Sequence, residues 1–417
     1  MNPRQYGGKK GVGTEHLVVT LIDRIKKLLD HPDKLVVFLS SYDWKGAFDK
    51  IDPTKVAQKM IKLGIRSSIV KIVINFLKER KMELKMNGQA STPLDLVGGG
   101  PQGSLIWHLL YLIASDDVAE EIPEEDKFKY IDDLSALEAV FTEGKLVDYD
   151  FFRHVPSDVA AGQQFLPQTT FKTQTYNNAI LDWSKKNKTV LNQDKSNYMV
   201  ISRYVDKFST QLHIDGAILE RKEEICHLGV WINTSLCWEK HISEICKRAY
   251  PRVKMLSKLK YVGVSTEDLL DLYKLHIRSL TEYCSTAFHS TLSQRLNNKL
   301  EAIQKTRLRV ILDVMYVDYS SALEMCALKT LFFRREARSL SFAIKCSNHK
   351  TNKQMFPLNP IKDTHSVRSH EKFLVNKART ESYRMSTIPY LQRRLNQYTE
   401  KLLEVRRRTQ KRTPGQP

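Results

Sequence analysis

Apolar residues recur at helical spacing in HLVVTLIDRIKKLLD, which Thr14 and Glu15 open, and the spacing predicts a first helix there. The period then changes. Leu35 to Ser40, LVVFLS, is an unbroken, β-branched run of the kind a strand buried on both faces carries, and it leads directly into Tyr42-Asp43-Trp44-Lys45-Gly46-Ala47-Phe48-Asp49. Asp52 and Pro53 start a helix with Val56, Met60 and Leu63 on one face and Gly64 at its end, and a more apolar helix follows from Ile69 to Leu77. MELKM, Asn87-Gly88 and QASTPLDLV read as a hairpin, and Gly98 to Ser104, GGGPQGS, precedes an apolar helix from Leu105 to Ala114. Phe128 to Val140, FKYIDDLSALEAV, alternates like two strands folded about Asp132 and Asp133. Periodicity fades from Gly144 to about Thr170, as in an inserted or mobile loop, and returns with a helix from Tyr176 to Lys186. The strand ending TVLNQDKSNYMVIS and short strands near Leu212 to Ile214 and Cys226 to Trp231 come next. From Trp238 the chain is helical and basic, and the tail after Tyr398 reads as disordered.

Two features of this pattern concern chemistry. An ionised carboxylate removed from water costs several kcal/mol (~3–5 kcal/mol when its partner is taken away) unless it is paired or binds a metal, so Asp132 and Asp133 between Tyr130, Ile131 and Leu134 call for a cation. Asp43 stands at the exit of a core strand, a second carboxylate out of place. Asp116 and Asp117, in contrast, fall in the acidic run SDDVAEEIPEEDK and read as a solvated turn. If the two acid-bearing strands are neighbours, Asp43, Asp132 and Asp133 should lie within a few ångström and hold two divalent ions, with Asp116 and Asp117 apart. Such a pair activates a hydroxyl and stabilises a leaving oxygen in phosphoryl transfer. This physics leaves polymerase and nuclease both open.

Charge narrows the partner. Lys and Arg number 66 against 47 Asp and Glu, a net charge of +19, which favours nucleic acid first and an anionic membrane surface second. No run approaches the ~20 apolar residues of a membrane span, and MNPRQYGGKKGVG lacks a signal peptide's apolar core, so an intracellular protein, nuclear or cytoplasmic and not secreted, is expected. The six scattered cysteines fit reduced thiols. Along NNKLEAIQKTRLRVIL, Lys299, Lys305, Arg307 and Arg309 share a helix with apolar residues and read as a nucleic-acid contact.

The ordered blocks DWKGAFD, GGGPQGS, YIDD, LNQDKS and HLGVWINTSLCWEKHI, with QYGGKKGVGTEH ahead of them, closely resemble the reverse transcriptases of non-LTR, LINE-type retrotransposons across roughly residues 5 to 250. The resemblance implies an α+β fold: a right-hand polymerase palm with reduced fingers in residues 1–235, a helical thumb-like region in 236–345 and a basic, partly disordered C-terminal region in 346–417. It implies an RNA-directed DNA polymerase using two Mg²⁺, with Mn²⁺ as substitute, an RNA template, a DNA primer and dNTP, and no membrane partner. Carried over by position, Asp43, Asp132 and Asp133 become the metal ligands, Lys195 a general acid near the leaving pyrophosphate, Trp44 a carbonyl ligand, and Phe48 the gate against a ribose 2′-hydroxyl. Gln102 and Gly103 match the turn packed on the incoming nucleotide. Leu228, Gly229 and Trp238 to His241 match the primer grip.

The chain departs from the pattern at Trp107 and His108, bulky where the family has Gly-Pro. It also begins just upstream of Asp43's strand, so an N-terminally truncated element that extends a primer poorly, or only binds nucleic acid, is the alternative expectation.

Overall fold

The computed structural model describes residues 4–32, 34–96, 98–101, 103–141, 172–202, 211–359 and 372–412, which fall into two compact units. The stretch from Gly144 to Thr170 lies outside these residues.

The first unit, residues 1–17 and 32–224, is built on strand β1, Lys34–Tyr42. Val36, Val37, Phe38 and Leu39 are all buried, which is why the run carries no polar alternation: both faces are covered. Helices α1 (Pro53–Lys62), α2 (Ser67–Leu77) and α3 (Trp107–Ala114) follow, then strands β2 (Lys127–Tyr130) and β3 (Asp133–Phe141), helix α4 (Lys172–Lys186) and strands β4 (Asn197–Ser202) and β5 (Glu220–Arg221). The sheet order is β5-β4-β1-β3-β2, with β1 antiparallel to both neighbours. Asp52 caps α1 by accepting from the Thr54 N–H at 2.8 Å, with Pro53 in its first turn. Asn87 and Gly88, at φ 50° and 79°, make the expected hairpin turn between Lys85–Met86 and Gln89–Ala90. In the middle of β3, the buried carboxylate of Glu138 is satisfied by a helix end. It accepts from the backbone N–H of Lys172 at 2.8 Å and of Thr173 at 2.6 Å, at the amino end of α4.

The second unit, residues 18–31 and 225–417, is mainly helical, with helices α5 (Glu239–Tyr261), α6 (Gln294–Leu312), α7 (Leu331–Asn348) and α8 (Thr387–Arg412). The tail after Tyr398 is therefore helical as far as Arg412. A hairpin pairs Glu224–His227 with Val230–Asn233, and its two-residue turn Leu228-Gly229 has φ 47° and 80°, the type I′ geometry that favours glycine at its second position. The Tyr283 hydroxyl donates to the Leu228 carbonyl at 2.8 Å. Trp238 and His241 are buried against Phe288, with ring centroids 5.8 and 5.1 Å away.

The basic groups of α6 are engaged within this unit. Arg307 points inward and is buried, Lys299 pairs with Glu239 at 3.4 Å, and Lys305 and Arg309 lie over the rings of Tyr319 and Tyr316. Arg307 is thus a core residue, where the sequence reads a surface contact: the heavy apolar content of the helix turns that face inward. Among the described residues, no helix is long and apolar enough to cross a membrane.

Candidate active site

The three acidic residues stand at adjoining strand ends because two ladders end together. The last pair of the β1–β3 ladder is Tyr42 with Leu134, so Asp43 and Asp133 are the next residues along, facing each other at its open end. In the β2–β3 hairpin Tyr130 pairs with Asp133, which leaves Ile131 and Asp132 as its two-residue turn. Burial raises the carboxyl of Asp133 from 3.8 to about 6, with the charges of Asp132 and Asp43 adding to it. Asp132 is raised by burial and, next among the raising influences, by Asp43. All three carboxylates also act on Tyr111, whose hydroxyl is pushed up chiefly by its own burial.

Three half-buried carboxylates, the two of the hairpin raised by burial and by the nearby charge of Asp43, are hard oxygen donors of the kind a divalent cation takes. Their side chains are not drawn into a ready cluster. Among the described residues no three His, Cys, Asp or Glu side chains are gathered so as to hold a metal ion. Like-charge repulsion and the bond that Asn192 Nδ2 donates to Asp43 Oδ2 at 2.8 Å both oppose such convergence.

Asp43 is stapled to the LNQDKS block. Its N–H donates to Ser196 Oγ at 3.2 Å, and its carbonyl accepts from the Asn192 N–H at 2.7 Å. Lys45 donates its N–H to the Val190 carbonyl at 2.8 Å, and Trp44 bridges Leu191 between these bonds. By strand alternation, the N–H and carbonyl of Trp44 are turned to the opposite side from this ladder. Its indole is buried and donates to Ser184 Oγ at 3.0 Å. Lys195 lies in the same turn, exposed and three residues from Asn192. Phe48 packs on Tyr111, ring centroids 4.5 Å apart, and Tyr111 is the ring on which the three carboxylates act.

The glycine-rich block packs against the same segment. Gly99, at φ 70°, donates its N–H to the Ile51 carbonyl at 2.9 Å, and a Cβ there would meet Asp49 Cα at 2.8 Å. Arg80 donates to the carbonyls of Gly98 and Gly99 at 2.9 and 2.6 Å. Gly103 is exposed at φ 86°, and Gln102 lies outside the described residues. Trp107 is buried directly over Gly100, while His108 is exposed. A Cβ on Gly100 would stand 2.0 Å from the Trp107 ring, so Gly100→Ala is expected to lower stability by about 1–3 kcal/mol in denaturant unfolding, with Trp107→Leu restoring part of it.

No family model matches the chain. Curated proteins do. It is 22% identical over 253 residues to the probable RNA-directed DNA polymerase from transposon BS of Drosophila melanogaster, covering 60% of this chain and 26% of the relative. To the RNA-directed DNA polymerase from mobile element jockey of the same species it is 22% identical over 263 residues, covering 61% and 26%. The chain is similar in sequence to RNA-directed DNA polymerases of mobile elements. The match spans about a quarter of those polymerases' length. Among solved structures, apo telomerase from Candida tropicalis aligns with a TM-score of 0.38 at 12% identity, covering 84% of this chain and 52% of that one. A form truncated of its C-terminal domain gives 0.35 at 12% identity, covering 53% and 39%.

Four side chains at the site escape a reading for acids and glycines. Tyr111 is hidden in the apolar helix WHLLYLIA, where its polar tip is the one signal. Asn192 and Ser196 lie inside a quoted block but carry no charge. Arg80 sits in a hairpin far from the motif that it braces. The acidic pair chosen as a contrast is also less plain than expected. Asp117 is half-buried, pairs with Lys59 at 2.6 Å and accepts from Trp183 Nε1 at 2.8 Å, so it is not a solvated turn residue. Lys59 and Trp183 hold its carboxyl below the usual range against the opposing effect of burial.

Proposed function

We propose that this chain is the reverse transcriptase region of a non-LTR mobile element, joining dNTP to a primer 3′-hydroxyl under an RNA template. The observation that carries the reading is the placement of Asp43, Asp132 and Asp133 at the ends of two adjoining ladders, with both hairpin carboxyls raised chiefly by burial and further by the charge of Asp43. Two divalent ions held there would supply charge stabilisation and activate the attacking hydroxyl.

The chain's own groups divide the remaining work. The five-stranded sheet serves as the palm, and the helical unit as thumb and C-terminal region. Asn192 and Ser196 keep Asp43 oriented. Phe48, supported by Tyr111, closes the sugar side of the nucleotide by bulk, and Lys195 protonates the leaving pyrophosphate. Gln102 and Gly103 contact the incoming nucleotide, and the Trp44 carbonyl adds a ligand.

The test is template-directed incorporation of single nucleotides on an annealed RNA template and DNA primer with Mg²⁺. Slow but templated addition is expected, and degradation of the primer without addition would favour a nuclease instead. Binding of the same duplex should fall by about tenfold or more between low and physiological salt, because phosphate contacts release counterions and the chain carries a net charge of +19. Binding indifferent to salt in a fluorescence-anisotropy titration would contradict a nucleic-acid partner.

A further inference from the structure

The turn that carries Asp132 is held in an unfavourable backbone conformation. Ile131 has φ 58°, a left-handed value that a β-branched side chain resists at a cost of roughly 1–3 kcal/mol. Something must hold it there, and the amino-terminal segment does. Gln5 runs beside Lys129 of the edge strand β2 in a parallel bridge. The Tyr6 N–H donates to the Lys129 carbonyl at 2.8 Å, and the Lys129 N–H to the Arg4 carbonyl at 3.2 Å. This segment covers the edge next to the acidic turn.

The Gln5 side chain is buried, and its Oε1 accepts two backbone bonds at 3.0 Å: one from Ile131 and one from Gly7. Among the described residues its buried Nε2 has no hydrogen-bond partner, so the two bonds to its oxygen set the amide's orientation. Gly7 must lack a side chain, since a Cβ there would stand 2.9 Å from Ile131 N and 2.5 Å from Ile131 Cγ1.

We propose that Gln5 and Gly7 form a clamp that fixes the Ile131–Asp132 turn in its left-handed form and so aims Asp132 and Asp133 toward Asp43. Gln5 is a positioning residue, acting through the Ile131 amide without touching substrate. Gly7 serves here by allowing the close approach of one backbone to another. The effect on nucleotide addition rests on the polymerase reading, whereas the clamp itself does not.

The experiment takes the whole chain and compares Gln5→Met, which keeps length and loses the acceptor, in the native and Ile131→Gly backgrounds. Hydrogen–deuterium exchange over residues 128–134 is one readout. Exchange of the Ile131 amide should quicken about tenfold in Gln5→Met, the loss of one buried hydrogen bond. Templated nucleotide addition, the second readout, should fall by about tenfold in the native background. In the Ile131→Gly background, where glycine is at ease at this φ, Gln5→Met should change addition by no more than about twofold. Unchanged exchange in Gln5→Met would overturn the clamp even if addition fell. Equal losses of addition in both backgrounds would reduce Gln5 to general support of the fold and overturn positioning. If the native chain adds no nucleotide at all, the polymerase reading fails, and the exchange readout still decides the clamp.

Discussion

Asp132→Ala should reduce templated nucleotide addition by about a thousandfold or more, since losing a shared metal ligand removes several kcal/mol of charge stabilisation and ~4 kcal/mol is a factor near a thousand. Duplex binding should remain within a few-fold of the native chain, because it draws on the net charge of +19 and not on a carboxylate. Single-turnover addition at saturating duplex separates the two effects. A variant that keeps a tenth or more of the native rate would remove Asp132 from the site. Asp117→Ala is the matching contrast. Its carboxylate is tied to Lys59 and Trp183, so its loss should appear first in unfolding and only secondarily in addition.

Asp133→Asn should make the metal-free protein more stable while it loses addition. The sign follows from linkage. Asp133 has a carboxyl at about 6 in the folded chain against an ordinary 3.8, so the folded state holds the proton more tightly than the unfolded one. Its favourable contribution is complete below about 3.8, is lost as pH rises toward 6, and stays lost above. At neutral pH, asparagine removes a charge that burial, Asp132 and Asp43 all oppose. After allowance for solvent screening of a half-exposed group, a gain of about 1–2 kcal/mol and ~2–6 °C in Tm is expected in chelator at pH 7.5, shrinking toward zero near pH 4. Mg²⁺ should raise the Tm of the native chain more than that of the variant. A variant less stable than the native chain at neutral pH would show that burying this charge beside Asp132 and Asp43 is not the dominant local cost. Stability withheld by a site in this way is expected wherever function needs like charges close together.

The parts of this architecture that can be read from the chain are those where a local rule is broken. LVVFLS announces a two-sided core strand because it never alternates, and the paired aspartates of YIDD stand out because a strand excludes them. The parts that cannot be read depend on partners far away in sequence. Glu138 looks like an ordinary outward residue of an alternating strand, and only the fold brings the start of α4 over it. Lys129 falls on the face opposite to Phe128 and should be solvated by alternation. It is nevertheless buried with its ammonium on the Ser115 carbonyl, and burial lowers it to about 7. Arg307 looks like a basic surface contact until its helix packs, since guanidinium position alone does not say which face turns inward. Tyr111 is invisible for the opposite reason: an apolar helix accepts a tyrosine without a sequence signal, and the three carboxylates that reach it come from two other elements.

The central claim, that Asp43, Asp132 and Asp133 form one ion-binding centre, is tested most directly by a Mn²⁺ titration of the chain on a primed RNA template with a 3′-deoxy primer end and dNTP, read by electron paramagnetic resonance. The account predicts two tightly bound ions per chain in the native protein, with that uptake lost in both Asp43→Asn and Asp132→Asn while Asp116→Asn retains it. Equal Mn²⁺ uptake in the native chain and in Asp43→Asn would contradict it.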